Sequence, residues 1–175
     1  MVEPKLKTII TKEQIQKRIR AVARQISSDY AGKTVCVVAV LENSFMFMAD
    51  LVRHIEVPVY CQFVKPRLSE KLENNIATTE IFYGPEMEVT GRDVLLVEGI
   101  VQSGVTSEFL VRNFLTRGAA SVKVATLLDR HTERRVQLQP DYFGFLVDEP
   151  SVLGFGLAGP NGYYRNLPFV AAWEA

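Results

Sequence analysis

The run Thr34 to Leu41, TVCVVAVL, restricts the fold of this chain more than any other segment. It is apolar without alternation and rich in β-branched residues, which suits a strand covered on both faces rather than one with a wet side. Such strands belong to parallel sheets, and parallel neighbours need a crossover between them. The chain supplies candidate crossovers on either side. Thr11-Lys12-Glu13-Gln14 has the spacing of a capping box, after which Ile15, Ile19, Val22, Ala23 and Ile26 recur at helical intervals to about Tyr30. Ser44 to His54 carries Phe45, Met48, Leu51 and Val52 on one side, and Val57 to Val64 reads as the next strand. Asp93 to Val97 is a strand and Gln102 to Val105 a turn. Thr106 to about Leu115 is a helix whose first turn holds Thr106, Ser107 and Glu108, and Val122 to Leu128 is a further strand.

This repeated strand-helix-strand order predicts an α/β fold: a doubly wound, mostly parallel sheet flanked by helices, with ligands at the carboxyl ends of its strands. The 175 residues suit one domain, 1–175. Residues 65–90 are more polar and are punctuated by Asn74-Asn75 and Gly84-Pro85, the pattern of a flexible arm with a short strand near Ile76 to Tyr83. From Asp141 a short strand, Tyr142 to Val147, leads into a glycine-rich stretch that holds Gly154, Gly156, Gly159 and Gly162. With Leu167 to Trp173 this stretch is expected to form a small C-terminal hood, about 141–175.

Lys plus Arg equals Asp plus Glu at 20 each, so no net field draws the protein to nucleic acid or an anionic membrane, and any phosphate site must be local. The N-terminal stretch is polar, and no segment reaches the roughly 20 apolar residues of a spanning helix; the expected compartment is the cytoplasm. Cys36 and Cys61 lie inside apolar runs and read as small buried hydrophobes. His54 and His131 are widely separated and lack metal-spaced partners, which argues against a histidine metal site.

The segment with the most chemistry in it is Ser103-Gly104-Val105-Thr106, placed directly after a buried strand and at the opening of a helix. Unpaired N–H groups at a helix start attract an anion, two hydroxyls can add hydrogen bonds, and glycine lets the backbone approach closely. The tetrapeptide alone reads more simply as a plain strand-to-helix turn capped by Ser and Thr.

Beyond the tetrapeptide, QIQKRIRAVARQISSDYAGK, VVAVLENSFMFMADLVRHI, GRDVLLVEGIVQSGVT, SVKVATLLDR, DYFGFLVDEPSVLGFGL and YYRNLP occur in that order. Taken together the chain resembles the hypoxanthine-guanine phosphoribosyltransferases over nearly its full length. That resemblance implies a type I phosphoribosyltransferase fold and a homodimer or tetramer. It also implies a reaction in which a purine nitrogen displaces the diphosphate of phosphoribosyl diphosphate, with magnesium if the chain is active. By matched position, Ser103, Gly104, Val105 and Thr106 fall on the 5′-phosphate loop and Glu98 on the first of two ribose-binding acids. Arg130 stands where a lysine meets the purine 6-oxo group, Val152 where a backbone meets the purine edge, and Arg165 beside the diphosphate.

Other positions depart from the family pattern. Gly99 replaces the second ribose-binding acid. Gln102 replaces the aspartate that acts as general base at N7, and an amide does not take up a proton at neutral pH. Ala158 replaces an aspartate that ligates magnesium. Glu42-Asn43 replaces a Lys-Gly pair of the diphosphate loop, putting a negative charge where a polyanion binds. Ser151 replaces the aromatic that stacks on the base, and Lys65-Pro66-Arg67 stands where a Ser-Tyr pair closes the site.

The function so implied is a protein that binds a purine nucleoside monophosphate or phosphoribosyl diphosphate through its phosphate loop, with transfer weak or lost. An active purine-salvage transferase and a non-catalytic oligomer partner or regulator are the alternatives. Each residue also has a plainer role: Glu98 as a structural carboxylate, Arg130, Arg134 and Arg135 as a solvated basic face, and Arg165 as a partner of Glu149.

Overall fold

Thr11 opens its helix by the mechanism that its spacing predicts. In this computed structural model, which describes residues 5–73, 76–83 and 87–174, the Thr11 side chain accepts from the Gln14 N–H and the Gln14 side chain accepts from the Thr11 N–H. Strand β1 (Lys5–Ile10) precedes helix α1 (Lys12–Asp29). Then follow β2 (Val35–Val40), α2 (Phe45–Val52), β3 (Val59–Glu73), β4 (Ile76–Tyr83), β5 (Asp93–Val101), α3 (Val105–Thr116) and β6 (Ser121–Asp129). The chain ends in β7 (Tyr142–Leu146), β8 (Val152–Leu153) and β9 (Val170–Glu174).

The central sheet has the order β4-β3-β2-β5-β6-β7. Its last five strands are parallel and β4 runs antiparallel against β3. The non-alternating apolar run is explained by two cores. Val35, Val37 and Ala39 pack with the buried face of α1 and with Phe47 and Leu51 of α2. On the other side, Cys36, Val38 and Val40 pack with Leu110 and Phe114 of α3. Burying both faces of one strand in this way requires helices on both sides of the sheet, the α/β arrangement expected from the sequence.

Several expectations need correction. Residues 65–73 continue β3 beyond the sheet, and Val64 to Ser69 pair with Tyr83 to Thr78 in an antiparallel ribbon. The arm is therefore two strands, not a loop with one; backbone hydrogen bonds hold such a ribbon without an apolar pattern to announce it. Asn74-Asn75 and Gly84-Pro85 lie outside the described residues. Tyr142–Leu146, expected at the start of the hood, pairs in parallel with β6 and extends the central sheet. The hood is a separate three-stranded sheet of order β1-β9-β8, so it takes one strand from the N-terminal segment. Cys61 is exposed, while Cys36 is buried; the side chain of β3 at position 61 faces away from the packed side. Among the described residues, no helix is long and apolar enough to cross a membrane.

Candidate functional site

β5 and β6 are buried through most of their length and release the chain at their carboxyl ends, where the candidate residues gather. At the end of β5 the turn closes on Gly104, which stands at the N-cap of α3 with φ of 77° and no side-chain cap. Thr106 does not cap the helix, because it lies inside α3 with Gly104 at the N-cap. Ser103 Oγ accepts from the Val105 N–H at 3.4 Å, and the first helical backbone bond is Glu108 N–H to Gly104 O at 2.8 Å. The N–H groups of Thr106 and Ser107 thus precede that bond, with no acceptor inside the helix, and both residues border an adjoining space. That space is a cavity of about 220 Å³ bordered by Ser103, Gly104, Thr106, Ser107, Glu98 and Asn43.

Gly104 also meets a packed wall. A Cβ there would lie 2.9 Å from both Arg134 Nη1 and a Val136 methyl, so the loop has no room for a side chain in addition to its positive φ. Arg134 is held by an ion pair with Asp129, and its Nη1 is buried without a partner among the described residues. The Arg135 N–H donates to Ser103 O at 3.0 Å. The basic face expected of Arg130, Arg134 and Arg135 does not exist as such: Arg130 is 1% exposed, Arg134 is paired, and only Arg135 is exposed.

Glu98 is buried at the inner end of the cavity and accepts a hydrogen bond from Ser107 Oγ at 2.9 Å. Burial pushes its carboxyl up to about 7, with the Ser107 hydroxyl acting in the opposite sense. Beside it, the space a side chain at Gly99 would occupy is filled: a Cβ there would lie 2.2 Å from the Asn43 carbonyl oxygen.

Glu42 does not stand as a bare negative charge. Its carboxylate pairs with Lys65 at 2.5 Å and with Arg165 at 3.4 Å, and the Lys65 hydrogen bond and charge hold it below its ordinary range, with Arg165 contributing less. Two cations around one carboxylate leave a local excess of positive charge, which offsets the repulsion expected of Glu42. Arg165 also donates to Asn43 Oδ1 at 2.6 Å and to Gly156 O at 2.5 Å. It does not pair with Glu149, whose carbonyl is instead taken by Arg130.

A second cavity, of about 280 Å³, shares Asn43, Ile100 and Gln102 with the first. Arg130, Ser151, Val152 and Ala158 border it. Arg130 reaches it with its outer nitrogens already engaged: Nη2 donates to Glu149 O, and Nη1 lies 3.3 Å from Glu133. Its Nε is buried and has no partner among the described residues.

Sequence reasoning missed Ser107 as the partner of Glu98, Lys65 as the partner of Glu42, and Trp173 as a wall of the second cavity. Ser107 sits one residue beyond the motif and was noted only as part of the first helical turn. The other two depend on contacts between distant elements and carry no local signal.

The comparisons with known proteins agree with this fold. A family described as the phosphoribosyl transferase domain matches residues 6–158. The hypoxanthine-guanine phosphoribosyltransferase of Bacillus subtilis is 33% identical over 94% of this chain and 91% of that protein. The corresponding protein of Streptococcus thermophilus is 33% identical over 97% of this chain and 94% of its own. A crystal structure of a hypoxanthine-guanine phosphoribosyltransferase from Bacillus anthracis, with a HEPES molecule in its active site, superposes with a TM-score of 0.89. It is 34% identical and the match covers 99% of this chain and 100% of that one.

Proposed function

The chain belongs to the hypoxanthine-guanine phosphoribosyltransferase family, a group with the type I fold, and on that premise we propose that it binds a purine nucleoside monophosphate or phosphoribosyl diphosphate while transferring the ribosyl group weakly or not at all. The phosphate would lie on the N–H groups and hydroxyls of Ser103 to Thr106, and the base in the adjoining cavity. Because the two cavities share Asn43, Ile100 and Gln102, one ligand can span both.

The observation that carries this reading is the pairing of Gln102 and Ala158 in one cavity. The resemblance implies an acid at each position, and here an amide and a methyl group face the same space. Neither takes a proton from a purine nitrogen. Gly99 supplies no side chain, and Glu98, with its carboxyl at about 7, is partly protonated at neutral pH and already hydrogen-bonded to Ser107.

Magnesium, needed only if the chain is active, would have to be held here chiefly by the ligand's phosphates and water, with Glu98 as the one matched acid. Among the described residues no three His, Cys, Asp or Glu side chains converge in a way that would hold a metal ion. The carboxylates that the resemblance implies near the ribose and diphosphate are reduced to Glu98. Losing a general base and a charge-stabilising group at about 10²-fold each would raise the barrier by roughly 5 kcal/mol. The same reading takes residues 1–175 as one domain, in the cytoplasm, assembled as a homodimer or tetramer.

Calorimetric titration with inosine and guanosine monophosphates, with and without magnesium, tests the proposal. Saturable binding that magnesium leaves unchanged is expected. Absence of saturable binding of both monophosphates, and of phosphoribosyl diphosphate titrated in the same way, would contradict it.

A further inference from the structure

Ser151 leaves the second cavity without a ring at the position where the resemblance implies one. Of the side chains bordering that cavity, Trp173 is the aromatic one, and Ile100, Pro150, Val152 and Leu157 supply aliphatic surface. The ring arrives there on β9, the middle strand of the hood. Ala171 and Ala172 pair with Leu153 and Val152 on one side and with Thr8 and Lys7 on the other. The next residue, Trp173, donates its N–H to Ser151 O at 3.2 Å. The tryptophan is therefore tied by its backbone to the residue whose own side chain is too small to stack.

We propose that Trp173 is the aromatic platform for the base of the bound nucleotide, replacing from the terminal strand what position 151 no longer provides. This rests on the reading of the site as one for a purine nucleoside monophosphate, and it adds how the base is held. Every nucleobase has a π-face, so an indole wall gives affinity for a planar heterocycle without choosing among bases. Choice would fall to polar groups bordering the same cavity. The Gln102 amide has both a donor and an acceptor.

Trp173 is the only tryptophan of the chain, so its emission reports on this wall alone. Titrating the full chain with inosine monophosphate is expected to quench or shift that emission, with the same midpoint as the calorimetric titration. Trp173→Leu is expected to bind inosine monophosphate about tenfold more weakly, and Trp173→Phe to recover most of the loss. All three proteins should bind ribose 5-phosphate, which has no base, equally well. Calorimetric binding of inosine monophosphate with unchanged emission and wild-type affinity in Trp173→Leu would overturn the platform and leave the nucleotide reading intact. Failure of the wild type to bind either inosine monophosphate or ribose 5-phosphate would overturn both. The emission measurement uses the unmodified protein and stands even if a variant does not fold.

Discussion

Glu98 concentrates the residue-scale physics of this site, because it carries a charge that its surroundings do not favour. Its ordinary carboxyl value is 4.5 and its value in the folded chain is about 7. Between those pH values the folded protein holds more proton than the unfolded one, so stability falls as pH rises. The favourable contribution is complete below about pH 4.5 and is lost as pH rises through about 7, a span of about 3 kcal/mol. Glu98→Gln removes the titration. Urea unfolding of both proteins at several pH values should show the wild type losing about 3 kcal/mol relative to the variant across that interval; a difference that stays flat would mean that Glu98 titrates as an ordinary carboxyl. The position of Glu98 was legible because it lies on the same strand that leads into the phosphate loop, but its partner Ser107 was read only as part of a helix start. Arg130 was legible as a position and not as a direction. Its burial and its bond to the Glu149 carbonyl depend on how the segment after β6 folds back, which the residue itself does not reveal.

At the scale of elements, the loop between β2 and α2 and the end of β5 are matched to each other. The Asn43 carbonyl occupies the place of a side chain at Gly99, and Arg165 from the hood fixes Asn43 from the other side. The two departures read separately in the sequence, Glu42-Asn43 and Gly99, are thus one packing solution. Restoring an acid by Gly99→Asp should fail on two counts. It should cost about 2 kcal/mol or more through a backbone collision that only movement of the loop relieves, and it should not bring back transfer. Urea unfolding of the variant checks the first; stability equal to the wild type would show that the loop gives way freely. The central sheet was legible because burial on both faces leaves its mark in every residue of β2. Extension of β3 and the pairing of β1 with β9 were not, since β3 is prolonged by backbone pairing and β1 meets its partner only at the opposite end of the chain.

For the molecule as a whole, the sheet provides the Ser103 to Thr106 loop and the hood provides a wall of the second cavity, joined through Arg165, Asn43 and Glu42. On the function proposed above, that arrangement holds a nucleotide, while positions 99, 102 and 158 lack the acids that the resemblance implies for making one. The most direct test is nucleotide formation from hypoxanthine and phosphoribosyl diphosphate with magnesium, using enough protein to detect a single turnover. The expected result is little or no inosine monophosphate. Sustained formation at the roughly 1 to 10³ turnovers per second of ordinary enzymes would contradict the assignment and make this chain an active transferase working without the acids at those three positions.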